Sequence, residues 1–138
     1  MKKSTTLFIA FFMSVFSQFA NASCDIYYHH YGEEAVNSRI GNLLPGHVPD
    51  SFCKHLKSYE FVFITSATNT YDIALGTSLV GLRKRGTTSI PKLRMQSFRY
   101  QTGNHSIDYA YDLAAKASIM AVDEMMANNS KFINSLKD

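Results

Sequence analysis

The feature that most constrains the fold of this chain is its pair of cysteines, Cys24 and Cys53, which are the only two in 138 residues. Cysteines in exported proteins form disulfides, whereas cytosolic thiols stay reduced. A bridge between these two would close a loop of about 30 residues and stabilise the fold by roughly 3 kcal/mol through the restricted unfolded chain. If the chain is exported, the sequence therefore predicts a Cys24–Cys53 disulfide.

The N-terminus predicts that export. Lys2 and Lys3 supply positive charge, residues 7–16 are apolar, and residues 20–22 read ANA. This order is typical of a cleaved signal peptide, since the apolar segment is shorter than the roughly 20 residues of a transmembrane helix. We therefore predict a signal peptide at 1–22 and a periplasmic or secreted mature chain at 23–138 without a transmembrane segment.

Two other N-terminal topologies stay open, an uncleaved anchor and a lipoprotein. The second is disfavoured by Asn21, which stands three residues before Cys24 where a lipoprotein signal has a leucine-like residue. Cleavage would leave twelve lysines and arginines against eleven acids, because the net charge of +3 includes Lys2 and Lys3. A nearly neutral, exported protein is a poor candidate for binding nucleic acid.

Four segments have the composition of β-strands, at 25–31, 59–65, 72–85 and 93–101. The segment at 59–65, YEFVFIT, is apolar on both faces in its middle, which predicts a central strand covered on both sides. The segment at 93–101 alternates between apolar and polar residues, which predicts one solvent-facing side.

Helical patterns lie between and after these strands. The acids Glu33 and Glu34 precede apolar residues at helical spacing, and Pro45 ends this helix; one or two more turns follow around 50–56. The longest helix begins after Asn104 or Ser106 as the N-cap. Its predicted inward stripe is Ile107, Tyr111, Ala114, Ser118, Ala121, Val122 and Met125.

Consecutive strands followed by a helix indicate the α+β class. We predict a single small domain with a mainly antiparallel sheet of three to four strands. A long C-terminal helix and one or two short N-terminal helices pack on this sheet.

A basic segment is the main candidate for an interaction site. The residues that we predict to bind are Arg83, Lys84, Arg85, Lys92, Arg94 and Arg99, and no acid occurs between Asp72 and Asp108. On a β-hairpin these side chains would share a tip and one face, where they could contact an acidic protein surface or cleft, lipid A phosphates or a polyanionic glycan. Phe98 and Tyr100 add aromatic contact surface. The competing interpretation is a solvated sheet edge that the charges protect from aggregation.

Histidines raise a second, weaker hypothesis. A metal site could combine His29 or His30 with His47 and His55, because the disulfide brings His55 towards the N-terminal strand. The spacings typical of metal sites are absent, so we predict no metal ligands. Carboxylate pairs for glycan hydrolysis could be drawn from Glu33, Glu34, Asp50, Glu60 and Asp72, as in any chain of this length. Glu60 is the most suggestive of them, because it lies in the apolar segment at 59–65, where burial would favour its protonated form.

No nucleophile elbow, phosphate-binding loop or dinucleotide motif occurs, so we predict neither an enzyme nor a cofactor. We expect an exported binding protein, most simply an inhibitor or immunity-type protein that neutralises an envelope-acting enzyme or toxin. The first alternative is an envelope accessory module that binds lipid, glycan or an assembly component in a groove between the sheet and the long helix. The second is a small metal-binding or hydrolytic protein that uses the histidines.

Overall fold

The computed structural model describes residues 24–137, so the predicted signal peptide lies outside the described residues. Its sheet contains four strands in the spatial order β1-β2-β3-β4. These are β1 (Tyr28–Tyr31), β2 (Tyr59–Asn69), β3 (Ile73–Lys84) and β4 (Arg94–Thr102). The predicted α+β class is confirmed, and each predicted strand is present.

Two of the three strand pairings are antiparallel, but β1 pairs with β2 in parallel. A parallel pair needs a long crossover connection, which the helical segment between β1 and β2 supplies. This segment contains α1 (Glu34–Leu43), two 3-10 turns (Leu44–His47 and Asp50–Phe52) and α2 (Cys53–Leu56). The sheet is therefore mixed, with its first pair parallel and the rest antiparallel.

The C-terminal helices are α3 (Ile107–Ala127) and α4 (Asn129–Asn134). The N-cap of α3 is Ser106, whose Oγ accepts a hydrogen bond from the Tyr109 N–H at 3.2 Å. The predicted stripe is mostly buried, although Ile107 is exposed because it lies in the first turn, beyond the main contact with the sheet.

Small residues bring α3 into direct contact with β3. A side chain at Gly76 would overlap the backbone of Ala114, and the Ser118 hydroxyl donates a hydrogen bond to Ser78 Oγ at 2.8 Å. The middle of α3 therefore packs closely on β3. A cavity of about 380 Å³ remains between β4 and α3, so the groove that the accessory-module alternative needs stays a prediction.

The sheet has two unequal faces. We call the face that contacts α3 the inner face, and it supplies the core residues Phe61, Phe63 and Val80. The opposite, outer face is covered at one end by the β3–β4 connection, where Pro91 packs against Gly81.

The segment predicted at 59–65 is a central strand, and its middle is covered on both sides. On the outer face Val62 is buried, whereas Ser66 and Thr68, which lie beyond the predicted segment, are exposed. The covering β3–β4 connection is too short to reach the far end of the strand. Most of the outer face is therefore open in the described part of the chain.

The predicted disulfide is present between Cys24 and Cys53, whose Cα atoms are 5.7 Å apart. It joins the chain just before β1 to the start of α2. A disulfide fits an oxidising compartment outside the cytoplasm. Among residues 24–137, no helix has the length and apolar character that crossing a membrane requires.

We expect the Cys24→Ser/Cys53→Ser variant to lose roughly 3 kcal/mol of unfolding free energy, because its unfolded chain gains the freedom of the opened loop. Urea denaturation of the purified variant measures this loss. Wild-type protein treated with a reductant should show the same loss, and the variant should be insensitive to the reductant. A difference below about 1 kcal/mol would contradict the role assigned to the bridge.

Candidate functional site

The outer face is the most distinctive open surface of the described chain. Strand register places Phe98 opposite Thr77 and Tyr100 opposite Leu75, all on the side of the sheet away from α3. Leu79 and Ile64 continue the apolar surface across β3 and β2. The middle of the outer face therefore combines aromatic and apolar side chains with uncharged polar ones such as Thr77 and Gln96.

Phe98 and Tyr100 form its most exposed part. Their side chains are 59% and 58% exposed, and their rings stack with centroids 6.4 Å apart. Two large rings held on a strand lose little conformational freedom when a partner covers them, and aromatic residues are enriched where proteins contact one another. This pair can act as an anchor for a protein partner.

Charged residues are scarce on this face. The strand register places Glu60, Arg83 and Arg94 on it, within the four strands described above. Glu60 and Arg83 neutralise each other, because Arg83 Nε donates a hydrogen bond to Glu60 Oε1 at 2.6 Å. Arg94 is exposed and leaves this face with a positive charge.

Arg83 is not part of an exposed basic patch, contrary to what the sequence suggested. It is only 5% exposed, and its guanidinium also donates hydrogen bonds to the Tyr31 hydroxyl and the Ser89 carbonyl, each at 3.4 Å. Burial lowers the pKa of Arg83, but the hydrogen bonds with Tyr31 and Glu60 raise it above its usual value overall. Arg83 stays charged and holds the β3–β4 connection against the sheet.

The other five basic residues are exposed, but they do not share one face, so that expectation was wrong. Arg99 lies on the inner side, where it donates a hydrogen bond to Met120 Sδ in α3 at 3.3 Å. Arg94 lies five positions away along β4 and therefore on the outer side. Lys84 and Lys92 line a cavity beside the C-terminal residues 135 and 136.

Arg85 belongs to a different group of residues. Its guanidinium carbon lies 3.7 Å from the centroid of the Tyr27 ring. It also lines a cavity of about 570 Å³ with Lys54 and Lys57. These two lysines were not among the predicted binding residues, because they lie some 30 positions from Arg85 along the chain and are not part of its charge cluster in the sequence.

The histidines of the metal hypothesis have separate partners. His30 Nε2 hydrogen-bonds Thr65 Oγ1 at 2.7 Å, and His47 Nδ1 contacts Asp123 Oδ1 at 2.8 Å. The ring of His55 packs against Phe52. Within residues 24–137, no three histidine, cysteine or acidic side chains are grouped so that they could hold a metal ion. The three-histidine arrangement is therefore not formed.

Burial changes the titration of two of these rings. Desolvation lowers the pKa of His30, although the nearby Glu34 raises it in part. Desolvation also lowers the pKa of His55, and the positive charges of Lys54 and Lys137 lower it further. Both shifts favour the neutral form of the imidazole.

Glu60, the main residue of the hydrolytic hypothesis, is also engaged with another side chain. Glu60 was singled out as an acid inside an apolar strand, but its carboxylate is held by Arg83 next to β1. A carboxylate in a closed ion pair is poorly placed to accept a proton from a substrate or water.

Comparison of the sequence with models of known protein families gives no match, and comparison with curated protein sequences gives none either.

Proposed function

We propose that this protein is an exported binding protein of the inhibitor or immunity type. It neutralises an envelope-acting enzyme or toxin by covering part of that protein with its outer face. The observation that carries this proposal is the stacked, exposed pair Phe98 and Tyr100 on an open and nearly uncharged sheet face. The energy of a protein interface is concentrated in a few such aromatic anchors surrounded by less important contacts.

The charges around this face favour a partner with an acidic surface. Arg94 is the unpaired charge on the outer side of the described strands, and the sequence between Asp72 and Asp108 contains no acid. A positive border next to an apolar centre speeds the encounter with an acidic partner and disfavours basic ones. An acidic active-site cleft would meet this requirement.

The test begins with affinity capture by the tagged protein produced from its full sequence. Extracts of the cell envelope and the secreted proteins of competing strains are presented to three forms: wild type, Phe98→Ser/Tyr100→Ser, and Tyr71→Ser. Tyr71 is a matched control because it is 81% exposed but lies in the β2–β3 turn. All three forms should have the same circular dichroism spectrum, since the changed side chains are exposed.

We expect wild type and Tyr71→Ser to capture one protein in near-equal amount, and the double variant to bind it at least 100-fold more weakly. Each of the two aromatic side chains is expected to contribute about 2 kcal/mol or slightly less to the binding free energy, and the loss of both would give this change. The captured protein should lose its activity when wild type is added. Equal capture by the double variant, or no captured protein from either source, would contradict the proposal.

Charge reversal offers a second comparison, but it must leave Arg83 unchanged. Arg83→Glu would bury two carboxylates against each other and would reduce binding merely by unfolding the protein. Arg94→Glu is the informative change, and we expect it to slow association rather than to speed dissociation.

A further inference from the structure

The cavity that Arg85 lines together with Lys54 and Lys57 lies at the edge of the domain, beside the disulfide. Its volume is about 570 Å³, and it is lined by residues from the segment before β1, from α2 and from the end of β3. The lining residues are Cys24, Asp25, Tyr27, Cys53, Lys54, Leu56, Lys57 and Arg85. Three of these eight side chains are cationic and one is acidic, which gives the cavity a net charge of +2 at pH 7.

Two long-range connections hold the cations in place. The disulfide fixes the start of α2, and Lys54 and Lys57 follow at a spacing of three, which puts them on one face of that turn. The Arg85 N–H donates a hydrogen bond to the Ser58 carbonyl at 2.9 Å, which fixes the end of β3 next to Lys57. These long-range contacts bring together three charges from distant parts of the sequence.

The charged side chains of this cavity are separate from the ion pairs described above. Those pairs, among residues 24–137, involve neither of the two lysines, nor Arg85, nor Asp25. The guanidinium of Arg85 lies over the ring of Tyr27, which fixes its position without using its N–H donors. The positive field extends to His55, whose pKa is lowered by burial and then by Lys54.

We propose that this cavity binds a phosphate monoester through Lys54, Lys57 and Arg85. A phosphate monoester carries nearly two negative charges at pH 7, which balances the net charge of the cavity. Arginine contacts two phosphate oxygens at once, and lysine supplies mobile point charges beside it. Tyr27, Leu56 and the disulfide form an apolar wall, and the cavity has room for the organic group that carries the phosphate.

The direct test is isothermal titration of the purified protein with phenyl phosphate, and with phenyl sulfate as a matched probe of similar shape and one charge less. We expect phenyl phosphate to bind at least tenfold more tightly than phenyl sulfate. Equal affinities would contradict the charge argument, and no binding of phenyl phosphate at millimolar concentration would contradict a soluble ligand.

Two variants locate the binding. Lys54→Gln/Lys57→Gln should weaken the binding of phenyl phosphate at least tenfold, because this variant lacks two of the three cations. Lys116→Gln/Lys131→Gln removes the same charge from exposed positions on α3 and α4 and should change the affinity less than twofold. Equal weakening by both variants would show only a general charge effect and would overturn the proposal.

The phosphate could be carried by a soluble molecule or by a lipid headgroup, and flotation with vesicles separates these sources. Vesicles that contain phosphatidic acid present a phosphate monoester, whereas phosphatidylglycerol vesicles present a diester with one charge. Binding to phosphatidic acid vesicles that requires Lys54 and Lys57 would identify a lipid source. Binding of phenyl phosphate alone would identify a soluble one. Binding of neither would overturn the proposal.

This inference does not depend on the proposed inhibitor function. The outer-face residues Phe98 and Tyr100 do not line the cavity. The Phe98→Ser/Tyr100→Ser variant should therefore bind phenyl phosphate like wild type, and Lys54→Gln/Lys57→Gln should still capture the protein partner.

Discussion

Gly76→Ala should lower the unfolding free energy by about 3 kcal/mol and the Tm by about 10 °C or more. The added methyl group would overlap backbone atoms of Leu113 and Ala114 in α3. Because backbone cannot rotate out of the way as a flexible side chain can, the helix must move off the sheet. Thermal and urea denaturation of the purified variant measure the loss.

Gly41→Ala is the matched control for this prediction. Its methyl group would meet the hydroxyl of Tyr28, the far end of a side chain, and alanine favours the helix at this position in α1. We expect a change of less than about 1 kcal/mol in either direction. Equal losses from both glycines would show that the close contact between α3 and β3 is not what limits stability.

Arg83→Met should cost about 3 kcal/mol of unfolding free energy, because it leaves the carboxylate of Glu60 buried without its partner. The side chains of Arg83 and Glu60 are 6% and 16% exposed, so water reaches them poorly. The variant also loses the hydrogen bond from Arg83 to the Ser89 carbonyl in the β3–β4 connection. Urea denaturation at pH 7 measures the effect.

The double variant Glu60→Leu/Arg83→Met tests whether the unpaired carboxylate of Glu60 causes the loss of unfolding free energy in Arg83→Met. Replacing a whole buried ion pair with apolar side chains is often neutral or stabilising, so most of the loss should be recovered. A double variant that is as unstable as Arg83→Met would show that the loss comes from packing of the connection rather than from the unpaired charge.

Much of the fold could be predicted because it is encoded locally. Alternating apolar residues define β4, and the spacing of apolar residues with an N-capping serine at position 106 defines α3. The disulfide was predicted from two cysteines and the predicted signal peptide. The parallel pairing of β1 and β2 was not predicted, since no local pattern specifies which edge of β2 a short strand joins.

The interaction surfaces depend on contacts between distant residues, so the sequence predicted them less well. The β2–β3 register places Glu60 opposite Arg83, and this pairing turns an apparent surface cation into a buried one. The cavity with Lys54 and Lys57 depends on the disulfide and on the contact between Ser58 and Arg85. Charge clustered along the chain therefore identified Arg85 but not the cations around it.

The central claim, that the outer face binds a protein partner, is tested most directly by hydrogen–deuterium exchange with the captured partner. We predict that partner binding slows exchange in β4 (Arg94–Thr102), the sheet-edge strand that carries Phe98 and Tyr100. Exchange in α1 should be unchanged, because it lies on the opposite side of the sheet. Slower exchange in α1 with no change in β4 would contradict the account.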